Sequence, residues 1–316
     1  MQKPHFFVAD AHEGPVWVAD QCRLYYTTKT HLDGRRRVDI EFLDFSHFDL
    51  CDEDELWKGL PEDAAMQISP RLFHHDAGMA NGMCLSQKGR DLLVAEQGDK
   101  SRPSLISSVN VADHTRKVLV DNFEGHEFNS LNKVILTKAG HLVFSDPDYG
   151  FRQDFRPAPQ LEPAIYVRTA DGTMTSFRCA LEMPHGLALS PDERTLFITD
   201  TSNDGAHGDD IELGRRKSVW KFDFDPKTGK ISGEGACCFQ VAKGVPDGAV
   251  TTEDRLLVGG GDAVYVADLE GKLIGKIPTP NNAVNVALAG GGKHLFVTID
   301  VGILLFIDWR SFVRDV

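Results

Sequence analysis

The chain has 316 residues, of which 41% are apolar, and its formal net charge is −13. This composition supplies a core, while the acidic charge argues against a nucleic-acid partner, because phosphate binding needs a basic face. Residues 1–10 lack the long apolar segment of a signal peptide, and no apolar run is long enough to span a membrane. We therefore expect a cytoplasmic protein that acts on a small molecule, with no nucleic-acid or membrane partner; its oligomeric state stays open.

One pattern returns six times along the chain. A polar residue, usually followed by glycine, opens a short apolar run, and a second apolar run follows after a turn. The polar positions are Glu13, Asn81, Asn132, His185, Asp247 and Asn285. Strand-length runs that repeat about every 40–65 residues are typical of a radial array. The pattern predicts an all-β, six-bladed β-propeller in which residues 1–316 form a single domain.

The second runs are as regular as the first and often end in aspartate. They cover residues 23–27, 91–95, 141–146, 195–200, 255–259 and 294–298. Gly, Asp and Lys in the turns between paired runs indicate hairpins. The acidic stretch 53–59 is the single candidate helix. Two long segments, 146–163 and 201–216, follow second runs and are predicted to be either lids over a site or ordinary loops.

The six cysteines do not form a recognisable framework. They are Cys22, Cys51, Cys84, Cys179, Cys237 and Cys238, without a CxxC pair. Two of them are adjacent, which suits neither a zinc knuckle nor a simple disulfide frame. We expect most of them to be buried, reduced thiols that pack as small apolar groups.

The six polar positions are expected to meet around one axis, because the first strand of each propeller blade lines the central channel. Two of them, Glu13 and Asp247, are carboxylates on separate blades, and amides accompany them. Such a set can hold a hard cation, which polarises a carbonyl, while Asp247 accepts a proton from attacking water. The pattern therefore predicts a metal or substrate site at one mouth of the channel.

Five motifs resemble those of the gluconolactonase/regucalcin family, which includes senescence marker protein and luciferin-regenerating enzyme. They are EGPVW at 13–17, FNSLN at 128–132, FSDPDYG at 144–150, PHGLALSPD at 184–192 and VPDG at 245–248. They occur in the family's order and span most of the chain. The resemblance implies a six-bladed propeller with one divalent cation, commonly calcium, in the channel, and hydrolysis of lactones.

The resemblance also implies roles for individual residues. Glu13 and Asp247 match metal ligands, and Asp247 also matches the general base. Asn132 matches an asparagine that contacts the substrate and takes part in catalysis. His185 occupies the place of a metal-binding asparagine, so that it is predicted to be a ligand or a catalytic group. The further substrate contacts predicted are Asn81, Tyr149 and Asn285.

Two residues depart from the family's pattern. Calcium prefers oxygen ligands, whereas the imidazole of His185 suits zinc or another transition metal. Lys133 stands where the family usually has aspartate. Strand alternation predicts that its side chain points away from whatever Asn132 faces, although its charge could still weaken metal binding.

Three functions are consistent with these residues. The first is a metal-dependent hydrolase of a lactone or a related small ester. The second is a non-hydrolytic cyclase or isomerase that shapes a reactive intermediate in the same pocket without metal, which the changes at His185 and Lys133 motivate. The third is a propeller that binds a cation or a ligand without turnover.

Overall fold

The computed structural model describes residues 3–48, 57, 59–61, 63–178, 181–202 and 217–316. These residues form six antiparallel sheets, one for each blade of a propeller. Within them there are two short α-helices, α1 (Ala64–Gln67) and α2 (Tyr149–Arg152), and four 3₁₀ turns, at Ala19–Gln21, Ser46–Phe48, Gly290–Gly292 and Trp309–Phe312. The predicted all-β class and the six-bladed architecture are confirmed; the single-domain extent of the whole chain stays a prediction.

The strands follow one another in chain order from the channel outwards. After β1 (His5–Val8), blade I contains β2 (Ala11–Val18), β3 (Arg23–Thr28), β4 (Ile40–Asp44) and β5 (Arg71–His74). Blade II contains β6 (Ala80–Leu85), β7 (Asp91–Glu96), β8 (Leu105–Asn110) and β9 (Arg116–Val120). Blade III contains β10 (Val134–Leu136), β11 (Leu142–Asp146), β12 (Ala164–Arg168) and β13 (Met174–Phe177).

The second half of the chain repeats this order. Blade IV contains β14 (Pro184–Leu189), β15 (Thr195–Asp200), β16 (Ser218–Phe224) and β17 (Ile231–Gln240). Blade V contains β18 (Pro246–Thr251), β19 (Leu256–Gly260), β20 (Ala263–Ala267) and β21 (Leu273–Pro278), with β25 (Arg314–Asp315) at its edge. Blade VI contains β22 (Ala283–Ala289), β23 (His294–Ile299) and β24 (Gly302–Phe306).

Both ends of the chain contribute to blade VI. Strand β1 pairs antiparallel with β24, from His5 opposite Leu305 to Val8 opposite Gly302. The first strands of adjacent blades contact one another all the way round, in the order β2, β6, β10, β14, β18, β22 and back to β2. The inner strands therefore enclose one channel, and each runs from the same mouth to the opposite one.

Apolar clusters between adjacent blades hold the ring together. Between blades VI and I, the rings of Phe7 and Phe45 lie 5.3 Å apart, and Trp17 stacks on Phe296 at 5.6 Å. Trp57 is fully buried in the same cluster. Large aromatic side chains bury much apolar area and pack at defined angles, which fixes the orientation of neighbouring blades.

Two loop predictions fall partly outside the described residues. Of the candidate helix 53–59, only Trp57 and Gly59 are described, and of the segment 201–216, only Thr201 and Ser202. The segment 146–163 is described and contains α2. Whether either long segment covers a site stays a prediction.

The prediction for the cysteines is wrong in part. Cys22 is disulfide-bonded, whereas Cys84, Cys237 and Cys238 are free, with Cys237 exposed. The spacing of the cysteines along the chain did not predict the disulfide of Cys22, because disulfide pairing depends on which segments the fold brings together. A disulfide is more typical of an oxidising compartment than of the cytosol, and the cytoplasmic location stays a prediction. In the described part of the chain, no helix is long and apolar enough to cross a membrane.

Candidate active site

The polar positions of the repeat lie at irregularities in the inner strands. In blade IV, Pro184 pairs with Asp200 and Leu187 with Ile198, so that His185 and Gly186 share Thr199 as their partner. The register shifts in the same way at 81–82 in blade II and 247–248 in blade V. A β-bulge of this kind re-aims side chains and is common next to active sites. The bulges turn the repeated polar residues into the channel.

Hydroxyl groups of the second strands fix the backbone of the site across blades. Thr199 in blade IV accepts a hydrogen bond from the N–H of Gly186 (2.7 Å) and donates one to the carbonyl of Asp247 in blade V (2.8 Å). Ser145 in blade III donates to the carbonyl of His185 in blade IV (2.7 Å). Thr27 in blade I donates to the carbonyl of Asn81 in blade II (3.1 Å).

Glycine is required where these strands approach most closely. A Cβ atom on Gly186 would lie 2.2 Å from the carbonyl oxygen of Asp247, which is far inside van der Waals contact. Between blades II and III, the N–H of Gly82 donates directly to the carbonyl of Asn132 (2.7 Å). The glycine that follows the polar residue in the repeat therefore lets one blade reach the next.

The aspartates that end the second strands also have a structural role. The carboxylate of Asp146 accepts the N–H groups of Asn129 (2.9 Å) and Ser130 (2.8 Å), and that of Asp200 accepts the N–H of Met183 (3.2 Å). These segments lead into the inner strands that carry Asn132 and His185. The aspartates thus fix the segments that lead into the channel by accepting backbone N–H groups, even though burial raises the pKa of Asp146 to about 7 and also raises that of Asp200.

Glu13, His185 and Asp247 come together in the channel from three blades. The Nε2 atom of His185 lies 3.8 Å from Oε1 of Glu13, and its Nδ1 lies 3.1 Å from Oδ1 of Asp247. One donor atom from each of the three residues lies within 4.8 Å of the others. The convergence predicted from the repeats is therefore present, while the roles of the residues stay predictions.

Blade VI holds Glu13 in place. The side-chain amide of Asn285 donates to Oε2 of Glu13 (2.5 Å), as does the N–H of Gly14 (3.2 Å). Burial opposes ionisation of Glu13, but its electrostatic interactions with His185 and His12 and its hydrogen bonds with Asp247 and Asn285 keep its pKa below the usual value. Since Oε2 receives both donors, Oε1 faces His185. The Asn285 amide thus contacts Glu13, and its predicted contact with substrate stays a prediction.

His185 is held as a neutral imidazole. Burial lowers its pKa to about 4; the Glu13 carboxylate opposes this effect and the charge of Lys133 adds to it. The ring of Tyr149, on α2, meets the imidazole edge-on at 5.7 Å, and the Tyr149 hydroxyl is hydrogen-bonded to that of Thr201. A neutral imidazole offers a lone pair that can bind a metal or accept a proton.

Lys133 contradicts the prediction from strand alternation. Its side chain is 7% exposed and lines the channel, where burial lowers its pKa and the carboxylates of Glu13 and Asp247 partly offset this effect. Both Asn132 and Lys133 bond to the single residue Ser145 across the hairpin. Alternation fails because this bulge inserts one residue before β10 begins at Val134.

The donor set fits a divalent cation. Two ligand atoms that each lie about 2.4 Å from one ion can be at most about 4.8 Å apart. One donor atom from each of the three converging residues meets that limit. The side-chain oxygens of Asn81 and Asn132 are buried and accept no hydrogen bond from the described residues, which is costly unless a ligand, ion or water binds them. Glu13, His185 and Asp247 would hold the cation.

Sequence reasoning missed the hydroxyls that connect the blades and the direction of Lys133. The hydroxyl groups could have been recognised by their repeated position in the sequence. Near the ends of four second runs, the equivalent residues are Thr27, Ser145, Thr199 and Thr298. Threonine is common in strands because its branched side chain packs well on a pleated surface, so its recurrence does not by itself indicate a bond between blades. Only the register showed that three of these hydroxyls donate across blades.

Comparison with known proteins agrees with the fold and the motifs. Residues 11–300 match the SMP-30/Gluconolactonase/LRE-like region. A gluconolactonase of Zymomonas mobilis subsp. mobilis is 26% identical over 230 residues, which are 69% of this chain and 60% of that protein. The chain thus spans less than two thirds of the length of this curated relative.

Solved structures show the same fold. A gluconolactonase from Xanthomonas campestris has a TM-score of 0.72 at 24% identity, with 95% of this chain and 86% of the other covered. The calcium-binding protein regucalcin from Agrobacterium tumefaciens has a TM-score of 0.61 at 16% identity, with 96% and 90% covered. Together with the motifs, the match over residues 11–300 shows that the chain belongs to the SMP-30/gluconolactonase/LRE-like family.

Proposed function

We propose that this protein hydrolyses a lactone or a related small ester at the channel mouth that holds Glu13, His185 and Asp247. The observation that carries the proposal is the convergence of two carboxylates and one imidazole within 4.8 Å. It is supported by membership of the family and by the relatives that are named gluconolactonases.

Each residue of the site has its own part in the proposed reaction. Asp247 accepts the proton of the attacking water, and a partly buried carboxylate beside a neutral imidazole is suited to that task. Asn81 and Asn132 present buried amide groups that orient the substrate, and Tyr149 borders the same imidazole. A divalent cation bound by Glu13, His185 and Asp247 would polarise the lactone carbonyl. Calcium is suggested by the regucalcin neighbour, and zinc by the imidazole.

Elemental analysis of the purified protein, combined with pH-stat assays on a panel of sugar and aliphatic lactones before and after chelation, tests this proposal. We expect bound divalent metal and hydrolysis that chelation abolishes.

Asp247→Asn should reduce the rate about 10²–10⁴-fold, because the amide keeps the shape but loses the basicity. Asp262→Asn, on the same blade and 43% exposed, is the matched control and should change nothing. Wild-type turnover in a normally folded Asp247→Asn protein, or failure to hydrolyse any lactone with calcium, zinc or manganese present, would contradict the proposal.

A metal-free enzyme is the second candidate, and Lys133 favours it. Its buried side chain lies in the same channel as the two carboxylates, whose charges act on it. At longer range, a positive charge fixed in the channel offsets part of the repulsion between the two carboxylates that a metal ion would otherwise relieve. Turnover of a lactone or of another reactive small molecule that chelation leaves unchanged would support this candidate over the first.

A further inference from the structure

A cavity of about 1070 Å³, which we call the far cavity, lies at the end of the propeller opposite the site. Its lining comes from the second halves of the inner strands and the turns after them, opposite the mouth that holds Glu13 and His185. One apolar residue from each inner strand illustrates the lining: Val16, Met83, Ile135, Leu187, Val250 and Val286. Its inner walls are apolar, and apart from Lys133 its polar and charged residues come from the strand ends and turns at its outer end. A concave space of this size with apolar walls is typical of a small-molecule site.

A charged residue of the inner strands' ring, Lys133, lies in the inner wall of the far cavity. Lys133 lines it and is more than nine-tenths buried. Within the described residues its ammonium group makes no hydrogen bond and no ion pair, and the carboxylates of Glu13 and Asp247 act on it only at longer range. Burying an ammonium group without a partner costs free energy, so an anion bound next to Lys133 would stabilise it.

The acidic groups at the rim do not supply that anion. The carboxylate of Asp254 is paired with Arg310 at 2.5 Å and with Arg255 at 3.0 Å. Glu193 accepts the backbone N–H of Lys138 at 2.8 Å. Glu253 also lines the cavity but lies at its solvent end, in the turn between β18 and β19. None of these carboxylates pairs with Lys133, which is buried in the inner wall of the cavity.

We propose that the far cavity binds a monocarboxylate with a hydrocarbon body, with the carboxylate on Lys133 and the body against the apolar walls. The apolar lining selects against small polar anions, because their hydration is lost without replacement. The carboxylates of Glu13 and Asp247 behind Lys133 repel any anion, and they repel a dianion more strongly than a monoanion. This site is separate from the proposed lactone site and does not depend on catalysis.

Isothermal titration of the full chain with octanoate, 1-octanol and octylamine, in a chelator and without lactone, tests the proposal. A charge-assisted hydrogen bond contributes about 1.5–3 kcal/mol, which is about 10-fold or more in affinity. Octanoate should therefore bind at least about 10-fold more tightly than octanol, and octylamine should bind most weakly. This series uses the unmodified protein, so it needs no variant to fold.

Two variants then locate the ligand. Lys133→Met should weaken octanoate at least about 10-fold and leave octanol within about threefold, since only the charge is removed. Lys138→Met is the matched control, because its ammonium is at the rim and bonded to the carbonyl of Pro191; it should leave octanoate within about twofold. Leu288→Trp, which fills the cavity, should weaken both ligands. The proposal is overturned if octanoate binds no better than octanol, or if Lys133→Met or Leu288→Trp leaves its affinity unchanged.

Discussion

His185 is the residue that most changes the donor set expected for the channel. It takes the position of an expected asparagine and contacts a carboxylate on each side, from blades I and V. Its depressed pKa means that the imidazole is neutral at pH 7, so that it adds a nitrogen donor to an otherwise oxygen-rich site. Nitrogen donors favour zinc and similar ions, whereas calcium discriminates against them.

Replacing His185 should change which metal the site prefers. His185→Asn restores an oxygen donor, and we expect zinc to bind at least about 10-fold more weakly while calcium binds equally or more tightly. Calorimetric titration of both proteins with each ion measures this. His114→Asn is the control, because its ring contacts the carbonyl of Phe73 outside the channel. Loss of calcium binding in His185→Asn, with zinc unaffected, would show that the imidazole is not a nitrogen ligand.

At the scale of the strands, the site is built by contacts from each blade to the next. Four ring positions have their backbone fixed by the preceding blade, three of them through a hydroxyl group. Asn285 makes the corresponding contact from blade VI to Glu13 through its side chain. A shift of one blade would thus move the donors of its neighbour, and Thr199 is the contact that fixes Asp247.

Removing the Thr199 hydroxyl should impair catalysis more than a comparable change elsewhere. Thr199→Val leaves the Gly186 N–H and the Asp247 carbonyl buried without their partner, which costs about 1–3 kcal/mol of stability. We also expect kcat/KM for the lactone to fall about 10-fold or more, and Thr199→Ser to restore it, since misplacement of a reacting group lowers the rate strongly.

Thr251→Val is a matched control for Thr199→Val, because it removes a hydroxyl contact at the opposite end of blades IV and V. Thr251 in blade V donates to the carbonyl of Leu189 in blade IV, far from Asp247. Thr251→Val should lose similar stability in urea unfolding but keep wild-type kcat/KM. Equal losses of activity in Thr199→Val and Thr251→Val would indicate that Thr199 acts on stability alone.

For the whole molecule, the decisive feature is the closure of the ring by β1. This strand comes from the opposite end of the chain to its partner β24. Its residues alternate, so that Phe7 is fully buried between blades VI and I while Phe6 is 38% exposed. Closure therefore depends on the packing of a few side chains between the first and last blades.

Truncating Phe7 should destabilise the entire propeller. Phe7→Ala removes a ring from the aromatic cluster with Phe45 and is expected to lower the free energy of unfolding by about 3–5 kcal/mol. Phe6→Ala, one position along the same strand, should cost less than about 1 kcal/mol. Denaturant unfolding followed by tryptophan fluorescence compares them. Similar losses for both would mean that the inner face of β1 does not control closure.

The amino-acid sequence by itself determined the repeat, and with it the six blades, their first and second strands and the six polar positions of the channel. These features are local: the alternation of apolar residues and the turns between them depend on neighbours along the chain. The resemblance to a known family added expectations for Glu13, Asn132 and Asp247, and it marked His185 and Lys133 as departures.

Only the tertiary structure decided how those residues meet. The bulge opposite Ser145 turned Lys133 into the channel, against the alternation expected of a regular strand. The disulfide of Cys22 and the hydroxyl contacts between blades likewise could not be predicted from the spacing of residues along the chain. Each depends on the register between strands and on the closure of the ring, which brings Glu13 next to residues more than half the chain away. A linear pattern predicts which residues face the axis, but the distances across the axis are set by packing between blades.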